Sequence, residues 1–208
     1  MACKLTKPAA FFDDLRSGLL GPALSDSEVA GCNALLKAIG EASWPLSWAA
    51  YGLATAYHET AHTMQPVKEY GGPNYLFRMY DPKGTRPQVA KRLGNTESGD
   101  GAKYFGRGYV QLTGRTNYRN AGTALGIPLL DKPDLALDPD IAAKIMILGM
   151  SKGWFTSQSC ETHLPDNALG DRTCFCAARK IINGQDRAGL IATYALGFQQ
   201  ALVRGGWK

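Results

Sequence analysis

The sequence predicts a mainly α domain in two helical lobes. Apolar residues recur at helical spacing along most of the chain, and strand signals are sparse. One aromatic, Gly-punctuated stretch, Tyr104 to Gly114, interrupts the helices and is expected to form a small β-hairpin or extended segment lining a cleft. With 208 residues, 45% hydrophobic and 20% charged, the chain can bury a sizeable core as one domain over 1–208.

Pro8 to Leu20 reads as a first helix with Phe11, Phe12 and Leu15 on one face. Ser25-Asp26-Ser27-Glu28 is a capping-box pattern that opens a second helix, which runs through Val29, Leu35, Leu36 and Ile39 to about Gly40. A third is predicted from Leu46 to Met64. It has no Asp, Glu, Lys or Arg before Glu59, and Trp48, Tyr51, Leu53, Ala54 and Tyr57 cover most of its circumference, as in a helix buried on nearly all sides. Glu59 is then a carboxyl group at the end of a buried helix, where burial disfavours its charged form and suits it to donate a proton. Its bland alternative is a helix-end glutamate that reaches solvent.

Pro66 ends that helix, and Glu69-Tyr70-Gly71-Gly72-Pro73 is turn chemistry, so Glu69 is expected on a solvated loop where it stays ionised. Two carboxyl groups in contrasting environments are what acid and base roles require. Residues 81–103, rich in Gly, Pro and charge, read as a long irregular excursion. Asn117 to Leu125 is a short helix. Asp138-Pro139 supplies an N-cap and a first-turn proline for a helix through Ile141, Ile145, Met146, Leu148 and Met150 to about Trp154. Cys160 to Asp171 reads as a loop, Cys174 to Ile182 as a helix leading into Asn183-Gly184, and Gly189 to Val203 as the last helix.

The net charge of +5 is scattered rather than gathered in a stripe, which argues against a nucleic-acid partner and leaves weak attraction to an anionic polymer open. The N-terminal basic residues are followed by no apolar run of signal-peptide type, and Ala42 to His58 is too short and polar to span a bilayer, so a cytoplasmically made protein without stable membrane insertion is expected. Five cysteines leave at least one unpaired. Cys160, Cys174 and Cys176 cluster without zinc-ribbon spacing, and either a disulfide or free thiols suits them.

His58-Glu59-Thr60, Glu69-Tyr70-Gly71, the block Tyr104-Phe105-Gly106-Arg107-Gly108-Tyr109-Val110-Gln111-Leu112-Thr113-Gly114-Arg115-Thr116-Asn117-Tyr118 and Ile181-Ile182-Asn183-Gly184 together resemble glycoside hydrolase family 19. That family holds chitinases and short phage endolysins with a lysozyme-like fold. The resemblance runs from about residue 45 to 200 and implies Glu59 as general acid, Glu69 as general base, and Thr113 as a holder of the attacking water. It further implies sugar contacts at Tyr104, Gln111, Asn117, Tyr118 and Asn183, with His58 beside the acid. After Asn183, Gln185-Asp186-Arg187 departs from the plant pattern, and the ten-residue spacing from Glu59 to Glu69 is more like the phage and bacterial members.

The expected substrate is therefore the glycan strands of bacterial peptidoglycan, with chitin oligomers as the alternative. No metal or cofactor is needed. The resemblance also implies a monomer without a separate wall-binding module, made in a host cytoplasm, acting at the periplasmic wall, and reaching it through a holin-like partner. Two other classes compete. His58-Glu59-Thr60-Ala61-His62 fits the zinc peptidase motif if both histidines share a helical face, but the extended form fails at Gln65 and Lys68. A non-catalytic wall-binding protein would fit a lost carboxylate, and none is lost.

Overall fold

The computed structural model describes residues 2–208. Among these residues there are twelve α-helices, one 3-10 turn and a single two-stranded sheet: α1 Pro8–Ser17, α2 Asp26–Glu41, α3 Leu46–Glu59, β1 Val67–Lys68, α4 Pro73–Tyr80, α5 Pro87–Leu93, α6 Asp100–Lys103, β2 Arg107–Gly108, α7 Arg115–Leu125, the 3-10 turn Pro133–Leu137, α8 Pro139–Lys152, α9 Cys160–His163, α10 Arg172–Ala178, α11 Lys180–Asn183 and α12 Ala188–Arg204. The chain divides into two compact units. One joins the residues up to Gln65 with Met146–Lys208, and the other is Pro66–Ile145. No described helix is long and apolar enough to cross a membrane.

The first unit is built around α3, which is buried from Ala49 to Tyr57. Its small residues, Ala49, Ala50, Gly52, Ala54 and Ala56, let neighbours come close, and α12 packs on it with Ala192 and Ala195 buried in turn. Trp44 fills the space above Gly52, where a Cβ would lie 2.8 Å from the indole ring. Its Nε1 donates to Ser151 Oγ at 3.1 Å. The Ser25 and Glu28 capping box forms as the sequence predicts, with both reciprocal bonds present at the start of α2.

The second unit carries the sheet. Val67 pairs with Gly108 and Lys68 with Arg107, antiparallel. Arg107 and Leu112 exchange both backbone hydrogen bonds, closing a tight hairpin whose turn needs positive φ at Gly108 and at Gln111. The expected hairpin is therefore present, with β1 as an added strand.

Three expectations are corrected. Segment 81–103 is not irregular: α5 and α6 lie within it, and α4, for which the sequence carried no expectation, precedes it. Cys160 to His163 is a helical turn rather than loop. The third helix stops at Glu59, five residues short of Met64, because Ala61, His62 and Met64 all take positive φ. All five cysteines are free thiols, and burial pushes those of Cys32 and Cys160 up to about 12.

Candidate active site

Glu59 is the last residue of α3. The turn that follows is fixed by Thr60, whose hydroxyl donates to the Ala56 carbonyl and accepts from the Met64 N–H, and by the His62 N–H bonding to Tyr57 O at 2.8 Å. Met64 is fully buried against α2 at Gly31, where a Cβ would sit 1.8 Å from the Met64 carbonyl oxygen. A turn with three left-handed non-glycine residues stores strain of order 1–3 kcal/mol at each, so the surrounding packing must impose it.

The break overturns the premise of the zinc motif. His62 lies off the helix, stacked on the Tyr57 ring at 4.2 Å and within 3.3 Å of the Tyr194 hydroxyl, so the two histidines do not share a helical face. No group of three or more His, Cys, Asp or Glu among the described residues is arranged to hold a metal ion.

Glu59 ends a buried helix, one of the two alternatives the sequence left open, but it has a charged partner that the sequence did not disclose. The Arg179 guanidinium, 2% exposed, donates to Glu59 Oε1 at 2.6 Å, and the glutamate side chain is itself 19% exposed. Arg179 Nε donates to Asp186 O, which ties the loop after α11 to the same cation. Sequence reasoning missed Arg179 because its partner is 120 residues away; an arginine just before Ile181-Ile182-Asn183 was the only local signal. His58 is half-buried, and burial lowers its pKa against the opposing pull of Glu59, so the imidazole is neutral near pH 7. Asn183 ends α11 with an exposed side chain.

Glu69 follows β1 in the second unit. Its N–H bonds to Gly106 O at 2.8 Å, and its carboxylate accepts from the Tyr80 phenol at Oε1, 2.7 Å, and from the Gly106 N–H at Oε2, 3.0 Å. It is thus half-buried and bonded rather than free in water. The same face of Gly106 is approached by three side chains. A Cβ built there would lie 2.6 Å from Gln111 Oε1, 3.1 Å from Glu69 Oε2 and 3.2 Å from Thr113 Oγ1, so Glu69, Gln111 and Thr113 converge where only glycine fits. Thr113 Oγ1 donates to Gln111 O at 2.8 Å, which leaves its oxygen free to accept.

The other residues singled out in the block are structural in their contacts. Gln111 Nε2 donates to Val67 O across the sheet, and Asn117 Nδ2 donates to Thr113 O. Tyr104 and Tyr118 are 1% and 0% exposed, with hydroxyls on Leu130 O and Phe105 O, so neither ring is open to a sugar in this structure. Tyr118 also lies against Arg107, whose guanidinium covers the Phe105 ring and reaches Asp134, Lys103 O, Phe105 O and the Tyr118 hydroxyl.

A family model described as chitinase class I matches residues 43–192, which include Glu59, Glu69, Thr113 and Arg179. The chain belongs to glycoside hydrolase family 19. Among individual family 19 relatives, acidic endochitinase Q of Nicotiana tabacum is 42% identical over 69 residues, 33% of this chain and 26% of that protein. Chitinase 11 of Oryza sativa subsp. japonica is 35% identical over 99 residues, 41% of this chain and 37% of its own length. The chain thus spans only 26–37% of the length of these curated relatives. Among solved structures, chitinase C from Streptomyces griseus shares the fold with a TM-score of 0.56 at 22% identity, covering 97% of this chain and 77% of that one. A bacterial family 19 chitinase does so at 0.55 and 24%, with 95% of each chain covered.

Proposed function

We propose that the protein is a glycoside hydrolase that cleaves β-1,4 bonds between N-acetylated amino sugars in peptidoglycan glycan strands, by inversion. Glu59 is the general acid that protonates the glycosidic oxygen. Glu69 is the general base that takes a proton from water, and Thr113 holds that water. The observation that carries this reading is the arrangement at Gly106: a carboxylate fixed through both oxygens, beside a hydroxyl whose own proton is committed to Gln111 O. Water can then donate one hydrogen to Thr113 and the other to Glu69, with its lone pair free for the sugar. Inversion requires the acid and base to be roughly 6.5–9.5 Å apart in the productive complex, with water on the face opposite the leaving group.

Peptidoglycan is favoured by the ten-residue spacing from Glu59 to Glu69 and by the net charge of +5, which suits an anionic polymer. Chitin oligomers are the second reading, favoured because the curated relatives carry endochitinase names. If peptidoglycan is the substrate, the site of action is the periplasmic wall, and delivery from a host cytoplasm requires a holin-like partner that opens the inner membrane.

The test is turbidity clearing of purified Gram-negative peptidoglycan alongside cleavage of chitin oligomers, with product anomers followed by NMR. Glu59→Gln and Glu69→Gln should each lose at least about a hundredfold in rate, a typical share for general acid–base catalysis. The first product should be the α-anomer. Full activity in Glu59→Gln would sink the assignment, a β-anomer would replace inversion by retention, and wall binding without cleavage by the wild type would make this a binding protein.

A further inference from the structure

The two donors to Glu69 come from different parts of Pro66–Ile145. One is the N–H of Gly106, and the other is the hydroxyl of Tyr80, the last residue of α4. The chemistry proposed above makes no use of Tyr80. We infer that Tyr80 is a positioning residue for the general base, and that segment 81–103 is the buried polar support that keeps it in place. This inference rests on the reading of Glu69 as the base.

The phenol is a donor at every working pH. Burial, then its bond to Glu69, pushes the Tyr80 pKa well above the usual phenol value, so its proton stays on. A glutamate side chain is otherwise free to change rotamer. One donor on each oxygen fixes both the position and the plane of the carboxylate while leaving a lone pair on each oxygen for water. A base must sit within hydrogen-bond reach of the proton it removes, and misplacement by about 1 Å can cost a hundredfold in rate.

Tyr80 is in turn held by groups that are buried and satisfied. Asn95, 2% exposed, donates from Nδ2 to Tyr80 O at 2.8 Å, and its Oδ1 accepts the Arg115 N–H at 2.8 Å, where α7 begins. Arg115 grips Asp100 with two nitrogens, at 2.8 and 2.6 Å. Against the cost of burial, those bonds and the N–H groups of Glu97 and Thr96 hold the Asp100 carboxyl below its ordinary pKa. Asp81, next in the chain and 1% exposed, accepts from the N–H groups of Lys83 and Gly99. Gly101 of α6 lies so close to the end of α4 that a Cβ would come within 2.7 Å of Asp81 N. A buried polar network whose members are all bonded is rigid, and loss of any member leaves others unpaired. Segment 81–103 therefore supports Glu69 by way of Tyr80, whose backbone and flanking turn it holds.

The test is a double-mutant cycle on the polymer that the wild type cleaves, with kcat and KM measured for wild type, Tyr80→Phe, Glu69→Gln and the double variant. Tyr80→Phe should lower kcat by about tenfold to a hundredfold with KM within about twofold, and should have no further effect in the Glu69→Gln background. Multiplying losses would make Tyr80 merely structural, and an unimpaired Tyr80→Phe beside an impaired Glu69→Gln would overturn the inference while leaving the base in place. Full activity in Glu69→Gln would remove the base reading and this inference with it. Should Tyr80→Phe fold poorly, a fluorinated tyrosine at position 80 keeps the ring and the donor but ionises at lower pH. An alkaline fall in kcat, absent from wild type, is then expected, and its absence would count against the role.

Discussion

Arg179 and Glu59 show what one ion pair demands of its surroundings. The guanidinium is 2% exposed and has two anchors, Glu59 Oε1 and the Asp186 carbonyl. A buried pair adds little net stability against an apolar pair of the same shape, but removal of one partner strands the other at a cost of about 3–5 kcal/mol. Because the Glu59 side chain retains 19% exposure, Arg179→Met is expected to cost at the lower end, about 3 kcal/mol, in urea unfolding. Arg179→Lys should recover only part of this, since one ammonium does not reproduce a planar fork that bonds two acceptors. A neutral Arg179→Met would show that Glu59 finds other partners or water in solution. Neither partner signals the other in the sequence, because they are 120 residues apart, whereas Ser25 and Glu28 are three apart and their capping box was legible.

At the scale of the element, the same contrast between local and distant causes decides what the sequence disclosed. Helices with long periodic faces, α2, α3, α8 and α12, were visible because burial imprints a spacing on them. The short helices α4 and α5 were hidden among Gly, Pro and charge, although Pro73 and Pro87 at their first positions are start signals. The end of α3 was misjudged because left-handed backbone at Ala61, His62 and Met64 has no composition mark when glycine is absent. Its cause lies in α2, where Gly31 leaves room for the Met64 carbonyl. Gly→Ala within a helix ordinarily gains up to about 1 kcal/mol. At Gly31 the sign should reverse, with a loss of about 1–3 kcal/mol from overpacking against backbone, read by thermal or chemical unfolding. Gly31→Ala should also impair activity, since the displaced turn begins one residue after Glu59. A stabilised, fully active Gly31→Ala would show that the turn is not packed as described.

At the scale of the whole molecule, shared fold extends much further than shared sequence: solved family 19 structures cover 95–97% of the chain, while curated relatives align over 33–41% of it. The family model's match, residues 43–192, holds both carboxylates, while the net charge is concentrated in one unit. Pro66–Ile145 carries twelve Lys and Arg against eight Asp and Glu, so four of the five net positive charges lie in the unit that holds Glu69. A field of that sign should speed encounter with an anionic wall and do little for a neutral oligomer. Raising ionic strength from about 0.01 M to about 0.15 M shortens the screening length from about 30 Å to about 8 Å. Wall clearing should then slow several-fold, while chitin-oligomer cleavage changes by less than about twofold. Lys91→Glu with Arg92→Glu, two exposed positions on α5 in no ion pair among the described residues, should lower wall clearing at low salt and flatten its salt dependence without changing oligomer turnover. Equal salt sensitivity on both substrates would remove the electrostatic case for peptidoglycan and leave chitin as the better reading.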